Sequence, residues 1–268
     1  MALSHGAPAA PPRALIWDVD GTLAETERDG HRVAFNDAFA AMGLPWRWSV
    51  ARYGELLGTS GGLERLLRDL AERDDAPRTL GPRLALAREL HRRKNAAYAH
   101  RMAADAITLR PGVQRLMQEA RDAGALLAIA TTTGRANVDA LLTRQLGASW
   151  SDGFAALLCA EDAPLKKPHP QVYTLALQRL ALRAHEAIAV EDSPNGLASA
   201  RAAGIEVVLT RSAYFESCDA AGALVVCNHL DAPAVARGVP RAAPRVQWPW
   251  LCDVHRRALR APATATLQ

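Results

Sequence analysis

Four clusters of reactive side chains recur along the chain in a fixed order. They are Asp18 and Asp20 in WDVDGT, Thr131 to Gly134 in TTTG, Lys166-Lys167-Pro168, and Glu191-Asp192-Ser193. A carboxylate can attack phosphorus only if its repulsion with a phosphate dianion is cancelled. Cancelling it calls for a divalent cation on hard oxygen ligands and an ammonium nearby. The combination therefore suits phosphoryl transfer through an aspartyl phosphate. Asp18 is the expected nucleophile. Asp20, two residues on, would protonate the leaving oxygen and later deprotonate water. Mg²⁺ would be held by Asp18, the Asp20 carbonyl and Asp192, with Glu191 beside it orienting a bound water. Thr131 and Lys167 would grip the phosphoryl oxygens, and Thr132, Thr133 and Gly134 at the same segment end count as substrate contacts.

Each cluster also has a plainer reading. Two acids two residues apart can cap a turn, and a lysine before proline is commonly a solvated loop residue. EDS before PNG can be a turn leading into a helix, and TTTG a helix N-cap. Their common placement gives them weight. Apolar runs of four to six residues stand at 14–18, 126–130, 155–160, 187–192, 207–209 and 223–227. They are apolar on both faces, as strands covered by helices on two sides are. Amphipathic stretches between them end on Gly124, Gly147 and Gly204, which read as helix C-terminal glycines. Strand and helix alternation of this kind predicts a doubly wound, parallel, Rossmann-like α/β sheet, whose ligands gather at the carboxyl ends of the strands. Three of the clusters fall at those ends.

One interval breaks the alternation. From about His31 to Ile107 only helical patterns occur, so residues 29–107 are expected to be an all-helical insert between core segments 13–28 and 108–230. Residues 1–12 read as a flexible leader, since MALSHGAPAAPP has neither a basic nor an apolar signal region. For the Pro-, Arg- and Trp-rich tail, 231–268, poor order is the default expectation, with docking of its tryptophans as the alternative.

Composition narrows the function classes. Hydrophobic residues make up 49% and charged residues 22% of 268, enough to bury a core. The net charge of +4 is scattered and not gathered into a stripe, which argues against nucleic acid and suits a small anionic substrate. No apolar run reaches the roughly 18 residues of a membrane span. Cys159, Cys218, Cys227 and Cys252 form no CxxC pair and read as packing thiols in a reducing, cytoplasmic setting.

With these residues assembled, the chain resembles the haloacid dehalogenase superfamily. DVDGT matches its nucleophile motif, Thr131 its second, Lys167 its third and EDSPNG its acidic fourth, and the insert looks like that superfamily's C1 cap. DGTLAETERDGHRVAFNDAF, GGLER, LRPGV and AIATTT are similar to the CbbY-like xylulose-1,5-bisphosphate phosphatases, which clear a sugar bisphosphate formed when Rubisco misfires in the Calvin cycle. The resemblance implies that Glu27 and His31 meet the sugar hydroxyls and that Arg32 helps to hold the distal phosphate. It also implies that the cap loop from Ser60 through Gly61, Gly62 and Glu64 to Arg65 lines the pocket. Arg65 could grip that phosphate bidentately, or it could be an exposed helix charge paired with Asp69 at i+4. Leu63 stands where the family loop carries lysine, which removes one cation from the cap. His169 and Gln171 replace the family's small residue and acid beyond Lys167. The implied protein is a monomer acting on a small phosphorylated sugar, with neither nucleic acid nor membrane as partner. A β-phosphoglucomutase-like phosphotransferase with identical catalytic residues is the competing enzyme, and a non-catalytic sugar-phosphate-binding regulator is the competing class.

Overall fold

The computed structural model describes residues 10–104 and 107–260, so most of the expected leader and residues 261–268 of the tail lie outside it. The chain enters through β1 (Ala14–Trp17) and a π-helical turn (Glu27–His31). It then forms α1 (Arg32–Ala41), α2 (Val50–Leu56), α3 (Gly62–Glu72), α4 (Leu80–Ala104) and α5 (Val113–Asp122). Only then do strands resume, alternating with helices. They are β2 (Leu126–Ala130), α6 (Arg135–Leu146), β3 (Ala156–Leu158), α7 (Gln171–Leu180), β4 (Ala187–Glu191), α8 (Pro194–Ala202), β5 (Glu206–Thr210) and β6 (Val225–Cys227). Two elements follow, β7 (Ala234–Ala236) and α9 (Trp248–Arg260).

The strands form one sheet in the order β3-β2-β1-β4-β5-β6-β7. It is parallel except for β7, which runs antiparallel to β6 along its edge. β1 sits between β2 and β4, Ala14 facing Leu126 on one side and Ala187 on the other. Its side chains alternate as a period of two requires. Leu15 and Trp17 join a cluster with Leu116 and Met117 of α5, Val138 and Leu141 of α6, and Leu251 and Val254 of α9. Ala14 and Ile16 face the opposite cluster, with Val172 and Tyr173 of α7 and Leu197 and Ala200 of α8. Both faces are thus covered, and the six expected strands all appear.

The strand order reverses between β1 and β4. Their carboxyl ends therefore flank an open crevice, the place where an α/β sheet receives a ligand. Asp18 follows directly on β1, its N–H still bonded to Val190 O at 3.0 Å. Glu191 closes β4 and Asp192 comes next.

The helical segment has a core of its own, with Phe35, Phe39, Trp48, Tyr53, Leu56, Leu66 and Leu90 buried together. The Phe35 and Trp48 ring centroids are 4.6 Å apart. Trp48 Nε1 donates to Asp69 at 2.8 Å, and Asp69 also accepts from Arg52 and Arg73. Tying down the indole N–H in this way avoids the cost of an unmet buried donor.

The default expectation for the tail is overturned over residues 231–260. Trp248, Leu251, Cys252, Val254 and His255 are buried along one side of α9, against the face that carries α5. Pro249 stands at the second helical position, where its missing N–H costs nothing. Two anchors flank the helix start: Arg115 donates to Val246 O at 2.8 Å, and Trp248 N donates to Glu119 at 2.8 Å. Burial of several large apolar side chains, each contributing about 1.5–3 kcal/mol, outweighs the ordering entropy that the composition suggested would win. All four cysteines are free. Among the described residues, no helix is long and apolar enough to cross a membrane.

Candidate active site

The loop after β1 turns back sharply. Gly21 has φ +84, and a Cβ there would stand 2.0 Å from an Asp192 carboxylate oxygen. Only glycine lets the backbone approach this closely with that φ. Arg110 pins the loop from outside. Its N–H donates to Leu23 O at 2.7 Å, and its guanidinium donates to Gly21 O and, at 2.9 Å, to Thr210 Oγ1 at the end of β5.

Asp18, Glu191 and Asp192 are all buried and offer oxygens within 4.8 Å of one another. Lys167 reaches in from the β3–α7 loop. Its Nζ donates to Asp18 Oδ1 at 2.6 Å and to Glu191 Oε1 at 2.6 Å, and Tyr173 Oη donates to the same Glu191 oxygen at 2.5 Å. Burial lifts the Asp18 carboxyl to about 7; Lys167 opposes the rise and Glu191 adds to it. Burial and the neighbouring Asp18 push Asp192 up as well. Lys167 is driven the other way: burial works against its charge, but Asp18 and Glu191 outweigh it and hold the ammonium above its ordinary value. Three ionised carboxylates against one ammonium would leave two negative charges in a dry site. Hard oxygens with that surplus fit a divalent cation.

Asp20 belongs to a different group. Its carboxylate turns away from the acidic cluster and accepts from Thr26 Oγ1 at 2.5 Å, from Thr133 Oγ1 and from His31 Nε2 at 2.9 Å. Burial alone would raise it, yet the imidazole and the two hydroxyls hold it well below the usual carboxylate range. His31 is itself fixed by stacking on Tyr98, with centroids 4.1 Å apart.

The cleft divides into two cavities, of about 50 and 220 Å³, which share Glu27, Arg65 and Thr132 as a common wall. The smaller holds Asp18, Asp20, Thr131, Lys167, Asp192 and Ser60. The larger is lined by His31, Gly61, Gly62, Glu64, Thr133 and Gly134, together with Leu63. At the wall, Tyr53 Oη donates to Glu27 at 2.5 Å and accepts from the Arg65 guanidinium at 2.6 Å, while Arg65 lies 3.5 Å from Glu27. Arg65 is therefore buried in the cleft, and Asp69 is paired with Arg52 and Arg73 instead.

Thus the expected site residues converge, with one exception. Arg32 lines neither cavity, because its guanidinium donates to the carbonyls of Arg28 and Trp48. Ser193 also does what the plainer reading asked, capping α8 by accepting from Gly196 N at 3.1 Å. His169 faces its own loop, where its Nδ1 accepts from Gln171 N at 3.2 Å. Sequence reasoning missed Tyr53, Tyr173, Arg110, His91, Lys94 and Asn137. Most of them sit on helices, where only the packed side of the helix tells a site residue from a surface one.

Comparison with known proteins agrees with this geometry. Residues 12–204 match the model of the haloacid dehalogenase-like hydrolases. Protein CbbY, plasmid, of Cupriavidus necator is 46% identical over 236 residues, covering 87% of this chain and 92% of its own. Protein CbbY of Rhodobacter capsulatus is 46% identical over 207 residues, covering 77% and 88%. Among solved structures, a mutant CbbY from Rhodobacter sphaeroides in complex with xylulose-(1,5)bisphosphate superposes with a TM-score of 0.76 at 39% identity, covering 81% of this chain and 94% of that one. A β-phosphoglucomutase from Clostridium difficile, 17% identical with a TM-score of 0.68, shares the fold. The chain belongs to the haloacid dehalogenase-like hydrolases and, within them, to the CbbY group of phosphatases.

Proposed function

We propose that the protein is a Mg²⁺-dependent phosphatase that hydrolyses xylulose 1,5-bisphosphate to xylulose 5-phosphate through an aspartyl phosphate on Asp18. The observation that carries this reading is the division of the cleft: a small acidic cavity with one lysine adjoins a larger one, with Glu27, Arg65 and Thr132 lining both. A substrate with a phosphate at each end and hydroxyls between fits such a shape, the transferred phosphate beside Asp18 and the polyol against Glu27 and His31. The bisphosphate bound by the Rhodobacter sphaeroides relative supports the same assignment.

The side chains have distinct tasks. Asp18, Asp192 and the Asp20 carbonyl would hold Mg²⁺, with Glu191 beside it, and the ion when bound would supply positive charge against the phosphate dianion and keep Asp18 ionised. Lys167, already oriented by two carboxylates, has a third N–H free to meet a phosphoryl oxygen. Asp18 attacks phosphorus while the ester P–O bond breaks, and the leaving oxygen takes a proton from Asp20. Water then attacks the acyl phosphate, Asp20 takes its proton and returns to the acid form, and the P–O bond to Asp18 breaks, releasing inorganic phosphate and restoring the Asp18 carboxylate. Asp20 as described here, held ionised by His31 and two hydroxyls, is in the state that accepts a proton from water. A phosphate dianion entering the same cavity raises its proton affinity for the first half. We propose that residues 29–107 act as a cap closing over this chemistry, excluding bulk water.

Phosphate release from a panel of sugar mono- and bisphosphates, with Mg²⁺ and with excess EDTA, tests the proposal. Stoichiometric phosphate from xylulose 1,5-bisphosphate, abolished by EDTA, is expected. Activity that survives EDTA contradicts the metal assignment. Conversion of β-glucose 1-phosphate to glucose 6-phosphate without net phosphate release would establish the mutase instead.

A further inference from the structure

The segment between β5 and β6 joins two strands of the core, yet four consecutive residues of it meet the acidic cluster and the helical segment. The Ser212 hydroxyl is buried and donates to Asp192. Ala213 N donates to Glu25 at 3.3 Å, and Tyr214 and Phe215 pack against the buried cluster of the helical segment. Phe215 also lines the smaller cavity, as does Leu57. The base of the segment is fixed. Arg110 donates to Arg211 O at 2.6 Å, and the Arg211 guanidinium donates to Glu216 O at 2.5 Å and to Cys218 O at 3.1 Å. The aromatic pair is therefore carried by the sheet and not by a free loop.

The opposite surface is shaped to receive Tyr214. Gly54 lies inside α2, where glycine costs about 0.5–1 kcal/mol relative to alanine. A Cβ at position 54 would stand 3.2 Å and 3.3 Å from two carbons of the Tyr214 ring, and that close approach accounts for the glycine. Beside it, Tyr53 meets Tyr214 with ring centroids 5.9 Å apart. Tyr53 is also the residue that joins Glu27 to Arg65 at the wall between the cavities. The Tyr214 hydroxyl is buried with no partner among the described residues, so the ring makes the contact and the hydroxyl does not. A second tie lies alongside: Asn195 Nδ2 of α8 donates to Gly58 O at 3.1 Å and to Ser60 Oγ at 3.2 Å.

We propose that Tyr214 and Phe215 are positioning residues for substrate selection. The core seats α2 on this aromatic pair, and so sets Tyr53, and through it Glu27 and Arg65, where a polyol phosphate meets them. Selectivity is then contributed by the core as well as by the helical segment. The inference rests on the phosphatase reading, with residues 29–107 as its cap, and it supplies the core surface on which that cap is seated.

Initial rates with Mg²⁺ test it, on the sugar phosphate that the wild type hydrolyses best and on p-nitrophenyl phosphate, which has no hydroxyls for the wall to meet. Tyr214→Ala should raise KM for the sugar phosphate about 10- to 30-fold, with kcat changed by less than about threefold. Both constants for p-nitrophenyl phosphate should stay within about twofold. Tyr214→Phe, which keeps the ring, should remain within about twofold of wild type on both substrates. Gly54→Ala crowds the ring and should raise the same KM about three- to tenfold, while Tm holds level or rises because alanine favours the helix. In the Tyr214→Ala background no ring is left to crowd, so Gly54→Ala should add nothing to KM. Equal losses on both substrates, an unchanged sugar-phosphate KM in Tyr214→Ala, or additive effects of the two substitutions overturn the proposal. Wild-type protein inert on every sugar phosphate defeats the phosphatase reading and this inference with it, whereas wild-type turnover with a KM indifferent to position 214 defeats only the seat.

Discussion

Around Asp18, charge is fixed by backbone and answered by opposite charge at contact distance: two strand ends, a glycine turn and a lysine 2.6 Å from two carboxylates. Around Lys94, charge is fixed by packing, with an ammonium between two rings on a helix and no carboxylate in contact. The first arrangement suits chemistry that must not vary. The second shares the larger cavity with Glu27, Glu64 and Glu161, none of them at contact distance, and it is built from side chains of the helical segment and not of the sheet.

The largest break in that contrast is expected from Asp18→Asn. Turnover should fall by at least about 10⁴-fold, as for loss of a covalent nucleophile, while calorimetry still detects bisphosphate binding. Turnover of the variant within about tenfold of wild type would remove the covalent route. Next comes Lys167→Met, expected to lower kcat by about 10²- to 10³-fold on mono- and bisphosphates alike, because it acts on the phosphoryl group common to both. A loss confined to bisphosphates would place Lys167 in the wrong cavity.

Acidity offers a gentler separation. Burial lowers the Lys94 ammonium to about 8, with Asp20 and Glu27 pulling its charge back, Arg65 opposing it, and His91 neutral on the same helix. Lys167 is held above its ordinary value. Between pH 8 and 9.5, Lys94 in the free enzyme loses its proton and Lys167 does not. The KM for the bisphosphate should therefore rise about tenfold with kcat nearly steady, as initial rates across that range will show. A KM that stays flat to pH 9.5 would show that Lys94 does not contact the substrate.

The smallest effect concerns the wall between the cavities. Tyr53→Phe removes a donor to Glu27 and an acceptor for Arg65. Loss of such a hydrogen bond costs about 1 kcal/mol, so KM should rise about three- to tenfold for polyol phosphates, whereas a phosphate ester lacking hydroxyls should bind as before. An equal change for both would make Tyr53 a purely structural residue.

The same contrast governs what could be read without coordinates. Asp18 and Glu191-Asp192 end apolar runs, and a parallel sheet brings run ends to one edge, so spacing alone located them. Lys94 stands in HRRKN, four basic or polar neighbours among many. Its signal was the stripe Ala87, Leu90, Lys94, Tyr98 and Met102, which is buried along α4 at helical spacing and carries one cation among apolar residues. The orientation of Arg32 depended on Trp48, a loop residue sixteen positions away, and no local pattern encodes that contact. In the tail, Pro and Arg hid an apolar stripe that begins at Trp248 and recurs at Leu251, Cys252 and His255. One of the prolines that suggested disorder, Pro249, stands in the first turn of that helix.

The central claim is that the phosphoryl group rests on Asp18 between the two half-reactions. Rapid acid quench of a single turnover with labelled xylulose 1,5-bisphosphate, followed by peptide mapping, tests it directly. A transient acid-stable acyl phosphate on the peptide carrying Asp18, absent from the Asp18→Asn protein, is the predicted result. Label carried by another residue, or direct release of phosphate with no labelled peptide at any time, would contradict it.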